Sequence, residues 1–114
     1  MLAAKKDTNV AVIQYLYNTF KDTIDINKQD KYGYTACMCS TKNRNPEVMK
    51  YLYTTIDINA QNKDGYTEFM LAIRCITDIT IIRHLCDTFK DVIDINKQNN
   101  NGETVLMIAA QYNT

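Results

Sequence analysis

Apolar side chains recur at helical spacing in three separate segments of the chain. The aligned columns hold Val12, Val48 and Ile81, then Ile13, Met49 and Ile82, and then Leu16, Leu52 and Leu85. A polar column of Gln14, Lys50 and Arg83 separates the second apolar column from the third. Because positions i, i+1 and i+4 share one face of an α-helix, each segment predicts an amphipathic helix with a single buried stripe.

Shorter apolar segments alternate with these helices, at residues 37–40, 69–72 and 106–110. Each segment begins two residues after a threonine, whose hydroxyl can accept an unpaired backbone N–H as a helix N-cap. These threonines are Thr35, Thr67 and Thr104. The pattern predicts a short, largely buried first helix in each copy. The start of a second helix is clearest at Asn45-Pro46-Glu47, which offers an N-cap residue, a proline at the first helical position and an acid in the first turn.

The three glycines of the chain occupy the same place in a repeated motif. The sequence Asp-Ile-Asn begins at Asp25, Asp57 and Asp94, and eight residues later come Gly33, Gly65 and Gly102. Glycine permits the positive φ angle of a tight turn, and the Asp- and Asn-rich residues before it favour the same bend. We therefore expect a hairpin-like turn directly before each N-cap threonine.

Together these residues resemble the ankyrin repeat, whose pattern runs Asp-x-Asn, turn, Gly-x-Thr-Pro-Leu-His-x-Ala-Ala and then a second helix with a Leu-Leu pair. The resemblance covers essentially the whole chain and implies an all-α ankyrin-repeat solenoid of stacked helix-turn-helix units with hairpin-like turns. The chain departs from the pattern at the proline, which is Ala36, Glu68 or Val105, and at the histidine, which is always Met. The usual Gly-His between the helices is also missing. The abundance of Asn, Lys, Ile and Tyr is similar to that of ankyrin arrays from giant DNA viruses or AT-rich protists.

We expect one domain over residues 1–114, because a chain of 114 residues is too small for two independent cores. Its units are a partial repeat at 1–30, full repeats at 31–62 and 63–99, and a partial repeat at 100–114. Extra residues after the second helix lengthen alternate repeats and give extended loops at Phe20 and Phe89. We expect these two aromatic side chains to cover the convex side of the lengthened helices. Both ends fall inside a first helix, so we expect the chain to belong to a longer array.

Charge and composition exclude several classes of partner. The 13 basic residues balance 13 acidic ones, so no net field attracts nucleic acid or an anionic membrane. No apolar run approaches the roughly 20 residues of a membrane helix, and the N-terminus lacks the zones of a signal peptide. Four irregularly spaced cysteines indicate free thiols in a reducing compartment. We expect an intracellular protein, cytoplasmic or nuclear, in a host cell if it is viral.

The residues offer little for catalysis. The lone His84 shares its column with Tyr15 and Tyr51, which indicates a structural position on a helix flank. Cys37-x-Cys39 and His84-x-Cys86 have the chemistry of zinc ligands, but residues two apart on a helix point in different directions. The single, widely spaced glycines form no phosphate-binding loop. We therefore predict no enzyme activity, no cofactor, no metal and no small-molecule substrate.

The predicted function is a protein–protein interaction module or adaptor. Ankyrin proteins typically bind partner proteins on the concave face that hairpin turns and first helices form together. The family's variable positions correspond here to Lys31, Tyr32, Tyr34, Lys42, Asn43, Lys63, Asp64, Tyr66, Arg74, Asn100, Asn101, Glu103, Gln111 and Tyr112. Exposed tyrosines at such positions favour a binding role, although Tyr34 and Tyr66 would serve structure if they stacked on each other. Two alternatives are a structural spacer without its own ligand and a Cys/His metal or redox site.

Overall fold

The computed structural model of the chain describes residues 6–76 and 78–112, with side chains from residue 10 onwards in these ranges. Its helices are α1 (Lys6–Phe20), α2 (Ala36–Lys42), α3 (Pro46–Leu52), α4 (Glu68–Cys75), α5 (Ile79–Phe89) and α6 (Val105–Tyr112). The described residues form no β-strand, which confirms the all-α class. Helices α2 and α3 form one full copy and α4 and α5 the next, while α1 is a second helix and α6 a first helix.

Equivalent helices stack side by side, as a helix-turn-helix solenoid requires. The first helix α4 packs between α2 and α6, and the second helix α1 packs on α3. The predicted apolar columns are buried in the full copies, as Leu52 and Leu85 show, except that Ile82 is half-buried. In α1 the equivalent Val12 and Leu16 are exposed, because the main contact of α1 among the described helices is with α3.

The predicted N-caps form. Thr35 and Thr67 each accept the backbone N–H three residues further on at 3.2 Å, and Thr104 does so at 3.4 Å. Asn45 caps α3 in the same way at 3.4 Å, with Pro46 at the first helical position. Each cap satisfies a donor that the helix itself leaves unpaired, which fixes where the helix begins.

The lengthened helices expected at Phe20 and Phe89 are confirmed, and neither residue lies in an extended loop. Phe20 is the last residue of α1 and Phe89 the last of α5, so the extra residues lengthen the helices. Phe89 is buried edge-on against Tyr53, with the ring centroids 5.9 Å apart. This apolar contact favours the additional helical turn in α5.

The hairpins between copies share one construction. Asp30, Asn62 or Asn99 opens each hairpin, and its side-chain oxygen accepts the backbone N–H groups two and four residues further on at 2.9–3.0 Å. The backbone N–H of the same residue donates to the carbonyl four residues on, at 2.9–3.0 Å. A short polar side chain thereby satisfies the amides that the turn leaves unpaired, which confirms the predicted turn chemistry.

Two glutamines at equivalent positions, Gln29 and Gln61, each join one hairpin to the next. The Gln29 amide donates to the carbonyl of Gly33 in its own hairpin at 2.8 Å and to that of Gln61 in the next at 2.8 Å. The Gln61 amide repeats this pattern with Gly65 at 2.7 Å and Gln98 at 2.9 Å. Both hydrogens of the Gln29 and Gln61 amides are used, so each of these side chains fixes a hairpin internally and against its neighbour. Among the described residues, the Gln98 amide donates only to the carbonyl of Gly102 in its own hairpin.

The Asp-Ile-Asn motif also links the copies. Asp57 Oδ1 accepts the N–H of Asn59 at 3.0 Å, which holds the local turn. The Asn59 amide then reaches the following copy, where its oxygen accepts the N–H of Asp94 at 2.9 Å and its nitrogen donates to the carbonyl of Val92 at 3.0 Å. Asn27 accepts the N–H of Asp57 in the same way at 2.8 Å, so the asparagines of the first two motifs both pair with backbone of the next repeat.

Adjacent hairpins approach so closely that the glycine position leaves no room for a side chain. The N–H of Asn100 donates to the carbonyl of Asp64 at 3.0 Å. A Cβ on Gly65 would lie 2.6 Å from the Asn100 backbone nitrogen, whereas one on Gly102 would meet only Gln98 Nε2, at 4.0 Å. Both glycines have a positive φ, +82° and +78° respectively. The two positions therefore differ mainly in whether another hairpin packs against the glycine.

We predict that Gly65→Ala destabilises the fold more than Gly102→Ala does. Gly102→Ala should cost about 1–2 kcal/mol for the left-handed backbone, and Gly65→Ala should add roughly 1–3 kcal/mol for overpacking against the next hairpin. Urea unfolding followed by circular dichroism measures both losses. An equal loss of unfolding free energy in the two variants would mean that the hairpins can move apart without a cost in free energy.

Candidate functional site

A shallow groove lies between the hairpin tips and the first helices. Its volume is about 560 Å³, and it is lined by Asp30, Tyr32, Tyr34, Cys39, Lys42, Asn43 and Asp64. The lining comes from two successive hairpins and from α2. Five of these residues belong to the predicted protein-binding set, so the fold brings together side chains from two different repeats.

The hairpin and the helix set the direction of each lining side chain. Asp30 holds the turn, which leaves Tyr32 at the tip with 59% of its surface exposed. Tyr34 is half-buried and faces back towards α2, where Lys42 is in the last turn and Asn43 is the C-cap. The next hairpin contributes Asp64 to the same groove.

Two successive repeats place a cation from the first helix over a tyrosine of the hairpin; we call these the cation–tyrosine pairs. Lys42 Nζ lies 5.1 Å from the centroid of the Tyr34 ring. Arg74 is held between Tyr66 and Tyr112, at 5.6 Å and 4.8 Å from their centroids, and donates to Tyr66 Oη at 3.0 Å. Such contacts attract a cation to the electron-rich face of the ring.

Neither of the two roles considered for Tyr66, an exposed binding residue or a stacking partner of Tyr34, matches the structure. Only 7% of the Tyr66 surface is accessible, with Arg74 over its ring. No aromatic contact among residues 10–76 and 78–112 joins Tyr34 to Tyr66, so the alternative of tyrosine stacking between hairpins is also wrong. The sequence did not reveal these pairs, because it shows the i, i+8 spacing but not that the chain reverses between the two residues.

The other predicted residues lie outside the groove lining. Lys31 covers the ring of Tyr32 at 5.1 Å, and Gln111 is exposed on α6. Asn100 is structural, since its amide donates to the carbonyl of Lys63 at 2.7 Å. Glu103 accepts a hydrogen bond from the Asn99 amide at 2.9 Å, and the N–H of Asn101 donates to Asn99. The polar groups of the last hairpin are therefore hydrogen-bonded mostly within that hairpin or to the hairpin before it.

The charges around the groove are largely free of ion pairs. Among the described side chains the one salt bridge joins Lys50 to Glu47 on α3, at 3.9 Å. The backbone N–H groups of its turn, chiefly that of Tyr34, hold the pKa of Asp30 below its usual value, so this carboxylate stays ionised. Burial raises the pKa of the Cys39 thiol, which keeps it protonated in the groove.

The described residues contain no group of three or more His, Cys, Asp or Glu side chains that could hold a metal ion. All four cysteines are free, and His84 is exposed and stacked on Tyr53 with ring centroids 6.0 Å apart. No helix in the described part of the chain is long and apolar enough to cross a membrane.

A buried glutamate lies between the two full copies, where the sequence analysis noted only a departure from the usual proline. Glu68 is 1% exposed and begins α4. Its Oε2 is hydrogen-bonded to the Thr41 hydroxyl and accepts from Tyr53 Oη at 3.3 Å, while the Cys37 thiol faces the same carboxyl. Its Oε1 is buried and has no hydrogen-bond partner among the described residues.

This environment favours the neutral carboxylic acid. Burial raises the pKa of Glu68 from 4.5 to about 8, against the opposing effect of its hydrogen bonds. The Thr41 hydroxyl also donates to the carbonyl of Cys37 at 3.1 Å, so its single hydrogen cannot serve both acceptors. A protonated Glu68 resolves this conflict by donating to the Thr41 oxygen. The same repeat position holds Ala36 and Val105 in the other copies, and neither residue is charged. The charge of Glu68 at this position is the sequence signal that could have identified the buried carboxyl.

We predict that stability falls as the pH rises between 5 and 8, and that Glu68→Gln removes this loss. Because the folded pKa of about 8 exceeds the ordinary 4.5, the contribution of Glu68 is complete below pH 4.5 and is lost as the pH rises through 8. The slope should be about 1.4 kcal/mol per pH unit between these values. Denaturant unfolding at several pH values measures it.

The matched control is Glu47→Gln, which changes an exposed carboxyl on α3 and should keep the pH dependence of the unmodified chain. An unchanged slope in Glu68→Gln would show that the carboxyl is ionised in the folded protein.

Comparison with known proteins agrees with the helix pairs and hairpins described above. A family profile described as ankyrin repeats (3 copies) matches residues 1–96, which is most of the 114-residue chain. No curated protein sequence matches the chain. The matched span includes both full helix pairs and the two hairpins that line the groove. The chain therefore belongs to the ankyrin repeat family.

Proposed function

We propose that this chain is an adaptor module that binds a partner protein along the groove between its hairpins and first helices. Ankyrin repeats are generally protein–protein interaction modules and are typically non-enzymatic. The observation that carries the proposal is the groove itself, which collects Tyr32, Tyr34, Lys42, Asn43 and Asp64 from two repeats.

The chemistry of the lining suits protein recognition. Tyr32 presents an exposed aromatic ring on a rigid hairpin, so it can bury a large area at a small cost in side-chain entropy. Lys42 and Asp64 form no ion pair with any described residue, and their charges remain available to a partner. Rigid aromatic anchors with polar groups around them are typical of protein interfaces.

Site-specific photo-crosslinking tests this proposal. A benzophenone side chain replaces Tyr32 in one variant and Tyr15 in another, and each variant is irradiated in native cell extract. Tyr15 is the matched control because it is 72% exposed on the second helix α1 and does not line the groove. We expect discrete protein adducts from position 32 and at least about tenfold less of the same adducts from position 15.

The adducts should also diminish when Tyr34→Ala is combined with the probe at position 32, provided that circular dichroism shows the variant to be folded. Identical adducts from both probe positions, or none from position 32, would contradict groove binding. The latter result would favour a spacer role for the array.

A further inference from the structure

We propose that the partner presents an extended acidic segment whose carboxylates bind Lys42 and Arg74. This inference rests on the proposed function and specifies the chemistry of the partner. Its basis is the repetition of the cation–tyrosine pairs in two successive copies, each with the same i, i+8 spacing between the tyrosine and the cation.

The two cations retain most of their hydrogen-bonding capacity. Lys42 forms no hydrogen bond or ion pair with any described residue and contacts Tyr34 only through the ring face. Arg74 has five N–H donors, and one of them donates to Tyr66 Oη. The tyrosines hold both side chains in place, so less rotamer entropy is lost when an anion binds.

The acids near these cations are mostly engaged within their own hairpins. Asp30 accepts two backbone N–H groups, and Glu103 accepts from the Asn99 amide. Asp64 is the exception, because its carboxylate has no partner among the described residues. Asp30 stays ionised and keeps its charge, but its Oδ1 is already occupied by two N–H groups. The unused N–H donors of Lys42 and Arg74 therefore outnumber the carboxylate oxygens free to accept them, and these donors favour a partner that supplies anionic acceptors.

The spacing of the cations fits an extended peptide. Lys42 lies at the end of α2 and Arg74 near the end of α4, and these two helices pack directly on each other. Packed helices lie about 8–10 Å apart, and an extended chain advances about 3.3 Å per residue. Acids three residues apart therefore match the two cations.

At the cation–tyrosine pairs, a protein segment suits the surface better than single-stranded nucleic acid does. Base recognition of that kind needs open aromatic faces for stacking. Lys42 lies over the Tyr34 ring, and Tyr66 is 7% exposed beneath Arg74. Carboxylates require only the N–H donors, which remain accessible.

Binding of three pools of fluorescent peptides to the full chain tests the proposal. Each pool has roughly ten residues, randomised except at two positions three residues apart, which are fixed as Glu, Lys or Gln. Fluorescence anisotropy at about 50 mM salt should show the Glu pool binding about tenfold more tightly than the Gln pool. The Lys pool should bind no better than the Gln pool.

Variants of the chain identify the groups responsible. Lys42→Gln and Arg74→Gln should each weaken binding of the Glu pool about threefold to tenfold, and Asp64→Asn should strengthen it about twofold. Lys42→Arg keeps the charge and should preserve binding. The matched control is Arg83→Gln with Lys90→Gln, which removes two exposed cations of α5 and its C-cap and should leave affinity unchanged.

Several results would overturn the proposal: tighter binding of the Lys pool, equal binding of all pools, failure of the Glu pool to bind, or displacement of the peptides by a single-stranded oligonucleotide. Loss of affinity in the Arg83→Gln, Lys90→Gln control would overturn it too. If groove photo-crosslinks persist while the Glu pool fails, the acidic chemistry is wrong and the groove remains the binding site. If the crosslinks fail as well, the proposed function is wrong.

Discussion

The close stacking of one hairpin on the next is the constraint on which the rest of this structure depends. Each link combines the two hydrogen bonds of a glutamine amide, a backbone hydrogen bond between the hairpins and a glycine that allows the approach. Each hydrogen bond contributes only about 1 kcal/mol, but together they fix the register of every repeat against its neighbour. The first helices follow each hairpin directly, so the same links set their separation.

This register creates the groove. Tyr32 and Asp64 lie on different hairpins and reach the same surface only because the copies stack without a shift. The cation–tyrosine pairs then tie each hairpin to the end of its own first helix, at Lys42 and at Arg74. Contacts that hold the hairpins in place thus also arrange the charges that face a partner.

Departures from the usual repeat are accommodated locally. Arg44, between α2 and α3, adopts a positive φ of 54°, a conformation that glycine tolerates more easily. Glu68 replaces the usual proline and brings a carboxyl into the core, where Thr41 and Tyr53 hydrogen-bond one of its oxygens. Neither change alters the stacking of helices, because hydrogen bonds between the hairpins and apolar burial elsewhere maintain it.

The sequence by itself determined the repeat, its turns, its N-caps and the buried columns, because each depends on local backbone chemistry or on helical periodicity. The resemblance of the sequence to the ankyrin repeat also selected groove residues such as Tyr32 and Lys42, since they match variable positions of that family. Only the tertiary structure decided that Tyr66 is covered, that Phe89 is buried against Tyr53 and that Glu68 is buried. These features depend on which side chains of one repeat meet those of the next, and a linear pattern does not contain that information.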